Sequence, residues 1–295
     1  MKLNSQHLIT GTELSAQEIE AVLQCAIELK KDRLKYKSVL QDKHLALIFE
    51  KPSLRTRFSF TIAMRELGGD VIESVSASRK SETPEDQMRV LQGYCHAVMI
   101  RTHDDEILQR MQTVATIPII NGLTELYHPC QTLADLVTLQ QRFSQLKGLT
   151  ICYLGDGNNI LHSLLLMAPL VGVKVNYCCP PGCEPEEKIV SQAPSEMIAA
   201  FATPQAAVRD CHAVYTDVWT SMGFESRDEN LFKGFQVNEA LMALAQPKAI
   251  FMHCMPMERG KEVSVDLPDQ TCSAIFEQSE NRMHVQKALL FSLLS

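Results

Sequence analysis

Ser53-Leu54-Arg55-Thr56-Arg57 packs hydroxyls and guanidiniums into five residues. Ser53 follows Pro52 and precedes an apolar face at Phe60, Ala63, Met64 and Leu67 that stops at Gly68. That pattern predicts a helix with Ser53 as its N-cap. The free N–H groups of a first helical turn bind anions. Arg55 and Arg57 add positive charge, Thr56 adds a hydroxyl, and Leu54 takes part through its backbone. A phosphate held here would meet backbone donors, two hydroxyls and a forked guanidinium together. Taken alone, the same five residues also read as a capped helix with a solvated basic turn. Further along, Arg101-Thr102-His103 follows an apolar run, and His128-Pro129-Cys130-Gln131 follows another. A lone histidine is more often structural than catalytic. Beside Arg101 and Gln131 in one cleft, His128 is a candidate donor to a polarised carbonyl. The side-chain oxygen of Gln131 can accept from an amide N–H₂.

The second half carries different chemistry. Asp217 is the one acid in Asp217–Gly223 and follows an apolar strand, so it can pair with an ammonium group or cap a helix. Asn159, in Gly155-Asp156-Gly157-Asn158-Asn159, can hold a carboxylate, and Ser221 with the backbone of Met222 can complete an amino-acid clamp. Cys254 lies in His253-Cys254-Met255-Pro256, where its sulfur and the nearby carbonyls can meet an amine. A nucleophilic cysteine needs a depressed pKa, which sequence does not establish.

The elements that must position these groups alternate in type. Short apolar runs at 45–49, 97–100, 117–120, 149–154, 173–177, 213–216 and 249–253 read as strands. Helical periodicity covers 16–30, 56–67, 84–94, 104–115, 131–146, 160–171 and 281–294. Continuous apolar strands alternating with helices predict parallel sheets covered on both faces. Seven strands split by the helix near 131–146 predict two α/β domains. In such sheets ligands bind beyond the carboxyl ends of the strands, and six polar clusters here fall in that position. A shared cleft is the expectation.

The 295 residues suffice for two domains, and 45% hydrophobic with 21% charged residues is ordinary for a globular protein. A net charge of −7 argues against a general nucleic-acid or anionic-membrane binder. No apolar run approaches the ~18 residues of a membrane span. The stretch MKLNSQHLITGTELS lacks the apolar core of a signal peptide, so a cytoplasmic location is expected. The ten cysteines show no paired CxxC spacing and are expected to be reduced, with no zinc site.

In this order, the clusters resemble the aspartate/ornithine carbamoyltransferase family, and its ornithine branch most. FEKPSLRTRFSF (49–60) resembles the family's phosphate loop, and INGLTELYHPCQTLADLVTL (120–139) its carbonyl-polarising segment. GDGNNILHS (155–163), TDVWTSMG (216–223) and HCMP (253–256) resemble the amino-acid side. Glu280-Asn281-Arg282 resembles the C-terminal segment that returns an arginine to the cleft. The resemblance implies two doubly wound parallel-sheet domains joined by long helices: 1–138 for carbamoyl phosphate, 139–270 for ornithine, and a C-terminal helix, 271–295, packing back on the first. It implies that Ser53, Leu54, Arg55, Thr56, Arg101, His128, Pro129, Cys130, Gln131, Cys254, Met255 and Arg282 bind carbamoyl phosphate. Asn159, Asp217, Ser221 and Met222 would hold L-ornithine, and Arg101, His128, Asp217 and Cys254 would serve catalysis. It further implies citrulline formation within arginine metabolism, no metal or organic cofactor, and a homotrimer or assembly of trimers with interface active sites.

Three features depart from the family pattern. Leu54 stands where many members have Thr, Ser74–Glu82 looks short for the family's mobile loop, and Asp86-Gln87-Met88 replaces a run of small residues. Arg79 or Lys80 would then have to supply the loop's contact to a neighbouring subunit. Other readings are a carbamoyltransferase for putrescine or an acylated ornithine, and a non-catalytic paralogue. A dinucleotide-dependent oxidoreductase is disfavoured because Ile160 occupies the position of the third glycine of a GxGxxG motif.

Overall fold

A computed structural model describes residues 2–50, 53–75, 82–219 and 228–295. The chain divides into two compact units, residues 1–137 with 281–295 and residues 138–280. Unit 1 begins with α1 (Ala16–Lys31) and continues through β1 (His44–Phe49), α2 (Leu54–Glu66), β2 (Asp70–Val75) and α3 (Pro84–Leu91). β3 (Ala97–Arg101), α4 (Asp105–Gln112), β4 (Ile119–Leu123) and α5 (Pro129–Phe143) follow, α5 ending in unit 2. Unit 2 holds β5 (Thr150–Leu154), α6 (Asn159–Met167), β6 (Lys174–Cys178), α7 (Glu187–Val190) and β7 (Ile198–Ala200). It continues with α8 (Pro204–Val208), β8 (Ala213–Thr216), α9 (Glu239–Met242) and β9 (Ile250–His253), and α10 (Ile275–Leu294) runs back into unit 1.

Each unit is an open, wholly parallel sheet. The orders are β2-β1-β3-β4 and β7-β6-β5-β8-β9. Both are doubly wound, as the alternation of elements predicts. In unit 1 the chain leaves β1 toward β2 and later returns to β3 on β1's other side. In unit 2 it leaves β5 toward β6 and returns to β8. Diverging connections open a crevice at each switch point. The loop into Ser53 and the end of β3 at Arg101 flank the first. The loop 155–158 and the end of β8 before Asp217 flank the second.

The strands are apolar because both faces are covered: β3, β5, β8 and β9 are buried almost throughout. Two strands lie outside the seven that the apolar runs predict, and both are edges. β2 carries Asp70, Glu73 and Ser74 and leaves Ile72 largely exposed, while β7 has three residues. Polar, short edges are how sheets avoid pairing with other chains, and they read as loops. β4 runs two residues later than its apolar run, and α10 starts at Ile275, a turn and a half before the predicted start. Its return to unit 1 is fastened by the buried Lys287, whose Nζ donates to Glu66 Oε2 at 2.9 Å and to the carbonyl of Arg33. Tyr36 and Phe291 stack at 4.5 Å. No helix among the described residues is long and apolar enough to cross a membrane.

Gly157 shows what the Gly155-x-Gly157 pair does. Its N–H donates to the carbonyl of Cys183 at 2.7 Å, and a Cβ there would lie 2.3 Å from Pro185 N and 2.4 Å from Glu184 C. The glycine admits the backbone of residues 183–185, not a pyrophosphate. Gly157→Ala must therefore push that backbone aside and is expected to cost about 2 kcal/mol or more. Urea denaturation checks this; a loss under about 0.5 kcal/mol refutes the close-approach explanation.

Candidate active site

In unit 1 the site is built on the N-terminus of α2. Ser53 has extended backbone, and its Oγ accepts from Thr56 N at 3.3 Å, the predicted N-cap. Capping one donor leaves the other first-turn N–H groups facing out of the helix end. Thr56 is fully buried, and its Oγ1 accepts from Arg101 Nη1 at 3.4 Å and Arg282 Nη2 at 3.1 Å. Arg101 ends β3 and Arg282 comes from α10, 226 residues from Thr56 in sequence. Two guanidiniums thus meet at one hydroxyl beside a helix N-terminus. Arg55 is half-buried in the same turn, and Leu54 is exposed, leaving its backbone as the group it offers.

Arg57 departs from expectation. It pairs with Glu73 of β2 at 2.7 Å, and its guanidinium lies 5.7 Å from the centre of the Phe49 ring. An arginine so neutralised is a brace between α2 and β2 and adds little charge to the anion site.

His128 lies just before α5 and is 3% exposed. Burial above all, then the charges of Arg282 and Arg101, hold its pKa well below the usual histidine value. It is a neutral imidazole at pH 7, a donor that polarises without being an acid. Pro129 opens α5, where its missing N–H costs nothing. Cys130 is fully buried, its Sγ 3.5 Å from the carbonyl of Asn121, and burial pushes its thiol up to about 12. Cys130 can face an anion only through its backbone N–H. Gln131, 1% exposed, donates from Nε2 to Asp135 Oδ1 at 2.8 Å.

In unit 2, Asp217 follows β8 and is 8% exposed. Its Oδ1 accepts from Val218 N at 2.8 Å and lies 2.9 Å from Cys254 Sγ. Its Oδ2 accepts from Asn158 Nδ2 at 2.8 Å. Asn158 caps α6: its Oδ1 takes Ile160 N at 3.0 Å and Leu161 N at 3.4 Å, and meets Tyr153 Oη at 3.2 Å. The asparagine bound to Asp217 is therefore Asn158, while Asn159 is the first residue of α6 and half-exposed.

His253, Cys254 and Met255 leave the end of β9. Met255 has φ of 61°, and its N–H donates to His253 Nδ1 at 2.9 Å. His253 Nε2 lies 3.2 Å from Glu262 Oε1, and both side chains are fully buried. Since Nδ1 accepts, Nε2 carries the proton and donates to Glu262. Asp217, His253 and Cys254 bring one ligand atom each within 4.8 Å of one another, the spacing of a metal site. For His253 such a role would break its bond to Met255 N–H or to Glu262. Ser221 and Met222, with Arg79 and Lys80, lie outside the described residues. All ten cysteines are free.

The structure gathers Thr56, Arg101 and Arg282 at one switch point and Asp217 with Cys254 at the other. Asp135, Asn158 and Glu262 are site neighbours that sequence reasoning passed over. Asn158, as an N-cap, and Asp135, one turn beyond Gln131, carried a signal; Glu262 carried none.

An anion cradle on one doubly wound unit and a buried carboxylate beside a thiol on the other suit a group-transfer enzyme that takes an activated phosphate and an amine. Residues 6–141 match the carbamoyl-P binding domain of aspartate/ornithine carbamoyltransferases, and residues 147–293 match the family's Asp/Orn binding domain. The chain is 44% identical to the ornithine carbamoyltransferase of Thermosynechococcus vestitus, over 99% of this chain and 97% of that protein. It is 43% identical to that of Anoxybacillus flavithermus, over 100% and 98%. The solved ornithine carbamoyltransferase of Pyrococcus furiosus superposes with a TM-score of 0.94 at 38% identity, covering 100% of this chain and 98% of that one. That of Gloeobacter violaceus gives 0.90 at 37% identity, covering both chains fully. The chain belongs to the aspartate/ornithine carbamoyltransferase family.

The buried neutral histidine has a measurable consequence. Below about pH 6.5 the unfolded chain protonates His128 and the native protein does not, so native stability falls as pH falls. The contribution approaches about 1.4 kcal/mol per pH unit. Urea unfolding at pH 7.5 and 5.5 should show a steeper loss for the wild type than for His128→Gln; equal slopes refute the neutral assignment.

Proposed function

We propose that this protein transfers the carbamoyl group of carbamoyl phosphate to the δ-amine of L-ornithine, giving L-citrulline and phosphate. The observation that carries the reading is the convergence of Arg101 and Arg282 on Thr56 at the N-terminus of α2. Carbamoyl phosphate is a dianion with a carbonyl next to its phosphate, and such a cradle meets both parts. First-turn N–H groups, Ser53 and Arg55 hold phosphate oxygens, with the backbones of Leu54 and Cys130 near the same charge. Thr56, Arg101 and His128 face the carbonyl oxygen, where negative charge develops. Arg282 bridges the two, and Gln131 and the backbone around Cys254 and Met255 accept from the amide.

The amine must be neutral to attack. Its lone pair forms the N–C bond while the C–O bond to phosphate breaks, and the leaving phosphate takes the displaced proton. Asp217 and Cys254 orient the amine, Asn159 holds the α-carboxylate, and Ser221 and Met222 complete the clamp. The mixed anhydride carries its own activation, so rate enhancement comes from alignment and fixed dipoles. This reading gives carbamoyl-phosphate binding to unit 1 and ornithine binding to unit 2, and we propose that the protein works in the cytoplasm.

The assembly is proposed to be a homotrimer. Leu54, Phe58 and Ile62 of α2, spaced four apart, are 69%, 61% and 36% exposed. An apolar stripe on one helix face calls for a covering partner, and a second copy of this chain fits a family whose sites are shared between subunits.

Purified protein given carbamoyl phosphate and L-ornithine should form citrulline, with putrescine, N-acetylornithine and aspartate as far poorer acceptors. Arg55→Ala and Asp217→Asn should each lower kcat/KM at least 100-fold, about 2.7 kcal/mol of transition-state stabilisation. Turnover of another amine instead would keep the phosphate site and overturn the ornithine assignment. Light scattering should return three times the 33.1 kDa chain mass, and Phe58→Asp should shift it toward one; an unmoved mass removes the α2 stripe from the interface.

A further inference from the structure

The orientation of one buried amide sets which end of Gln131 meets the substrate. Gln131 and Asp135 are one turn apart on α5, 1% and 0% exposed. Gln131 Nε2 donates to Asp135 Oδ1 at 2.8 Å. A carboxylate only accepts hydrogen bonds, so it must take the N–H₂ end of its neighbour. The oxygen end is thereby turned away from Asp135, and Gln131 Oε1 is buried with no hydrogen-bond partner. A buried acceptor left open costs roughly 1–3 kcal/mol, which a ligand donor would recover. Gln131 lies three residues after His128, its N–H donating to the His128 carbonyl at 3.0 Å, and the charges nearest His128 are those of Arg282 and Arg101.

We infer that Asp135 is a positioning residue that locks Gln131 with its carbonyl oxygen toward the substrate, and that this lock selects an acyl phosphate bearing N–H₂ over one bearing CH₃. The inference rests on the carbamoyl-phosphate reading and deepens it. Carbamoyl and acetyl phosphate share phosphate and carbonyl, so the arginines, Thr56 and His128 treat them alike. Only an acceptor aimed at the third substituent separates them. Without the carboxylate, Gln131 can present either end, and an N–H₂ facing an N–H₂ binds neither substrate better. Sites built to hydrogen-bond a polar group reject analogues that lack it far more sharply than apolar pockets do.

The test is calorimetric binding of carbamoyl phosphate and acetyl phosphate to wild type, Asp135→Asn, Gln131→Ala and the double variant, with citrulline synthesis followed in parallel. Asp135→Asn should weaken carbamoyl phosphate roughly fivefold while acetyl phosphate stays within about twofold, since only the competent orientation of Gln131 is depopulated. The KM for ornithine should hold. In the Gln131→Ala background Asp135→Asn should change the preference no further. Equal weakening of both ligands, no change in either, an undiminished effect in the double variant, or a wild type with no preference overturns the assignment. A wild type that prefers carbamoyl phosphate yet makes no citrulline sinks the proposed reaction and leaves the role of Asp135 supported.

Discussion

Two guanidiniums held to one threonine hydroxyl are the arrangement on which the rest of unit 1 depends. Like charges brought to one acceptor repel, and the fold takes each cation from a different, well-anchored element. Arg101 is fixed by β3, which pairs with β1 on one side and β4 on the other. Arg282 is fixed by α10, pinned a turn and a half later by the buried Lys287 and its partner Glu66. Thr56, between them, is fixed by the capped first turn of α2. Burial above all keeps His128 neutral, and the same two charges disfavour a third cation beside them. On the proposed reading, a dianionic ligand meets both guanidiniums at the hydroxyl they share.

Unit 2 solves the opposite problem, that of keeping a buried carboxylate ready for a cation. Asp217 is surrounded by donors: the Val218 N–H, the Cys254 thiol and the Asn158 amide. All three donors are uncharged, so they hydrogen-bond the carboxylate without neutralising it. Asn158 is held in turn through its oxygen by the first N–H groups of α6, so its amide has only its nitrogen end to give. His253 works on the neighbouring turn. By accepting from Met255 N–H and donating to Glu262, it sustains the left-handed residue that turns the chain after Cys254. In both units a group with two chemically different ends is oriented by a neighbour that can accept only one of them.

Much of this was legible in the chain because the relevant signals are local. Apolar runs ending in polar clusters marked β1, β3, β5, β8 and β9; the first four are interior strands of their sheets, and β9, though an edge strand, is buried throughout like them. Ser53 could be read as a cap from Pro52 before it and the periodicity after it. What escaped was determined at a distance. β2 and β7 are strands only because a neighbour supplies half their hydrogen bonds, and their composition suits an exposed edge. Arg57 and Arg55 look equivalent in sequence, yet Glu73 of β2 claims the former. The choice between Asn158 and Asn159 was decided by where α6 begins, a one-residue distinction that pattern reading does not resolve.

Glu262 marks the limit of such reading. Its charge in an ordinary loop sequence suggests solvent, and its complete burial follows only from the route the chain takes after β9. A buried carboxylate with a protonated imidazole nitrogen on one side and a backbone N–H on the other is affordable because each donor arrives with its own constraint. His253 brings the hydrogen bond that shapes the Met255 turn, and Glu258 brings the backbone of the loop that follows. Replacing the pair with apolar residues could match its stability, since buried polar pairs seldom outperform good packing. It could not reproduce the direction in which His253 Nδ1 points. The polar pair is retained in the core for orientation, and what it orients is the turn that carries Cys254 to Asp217.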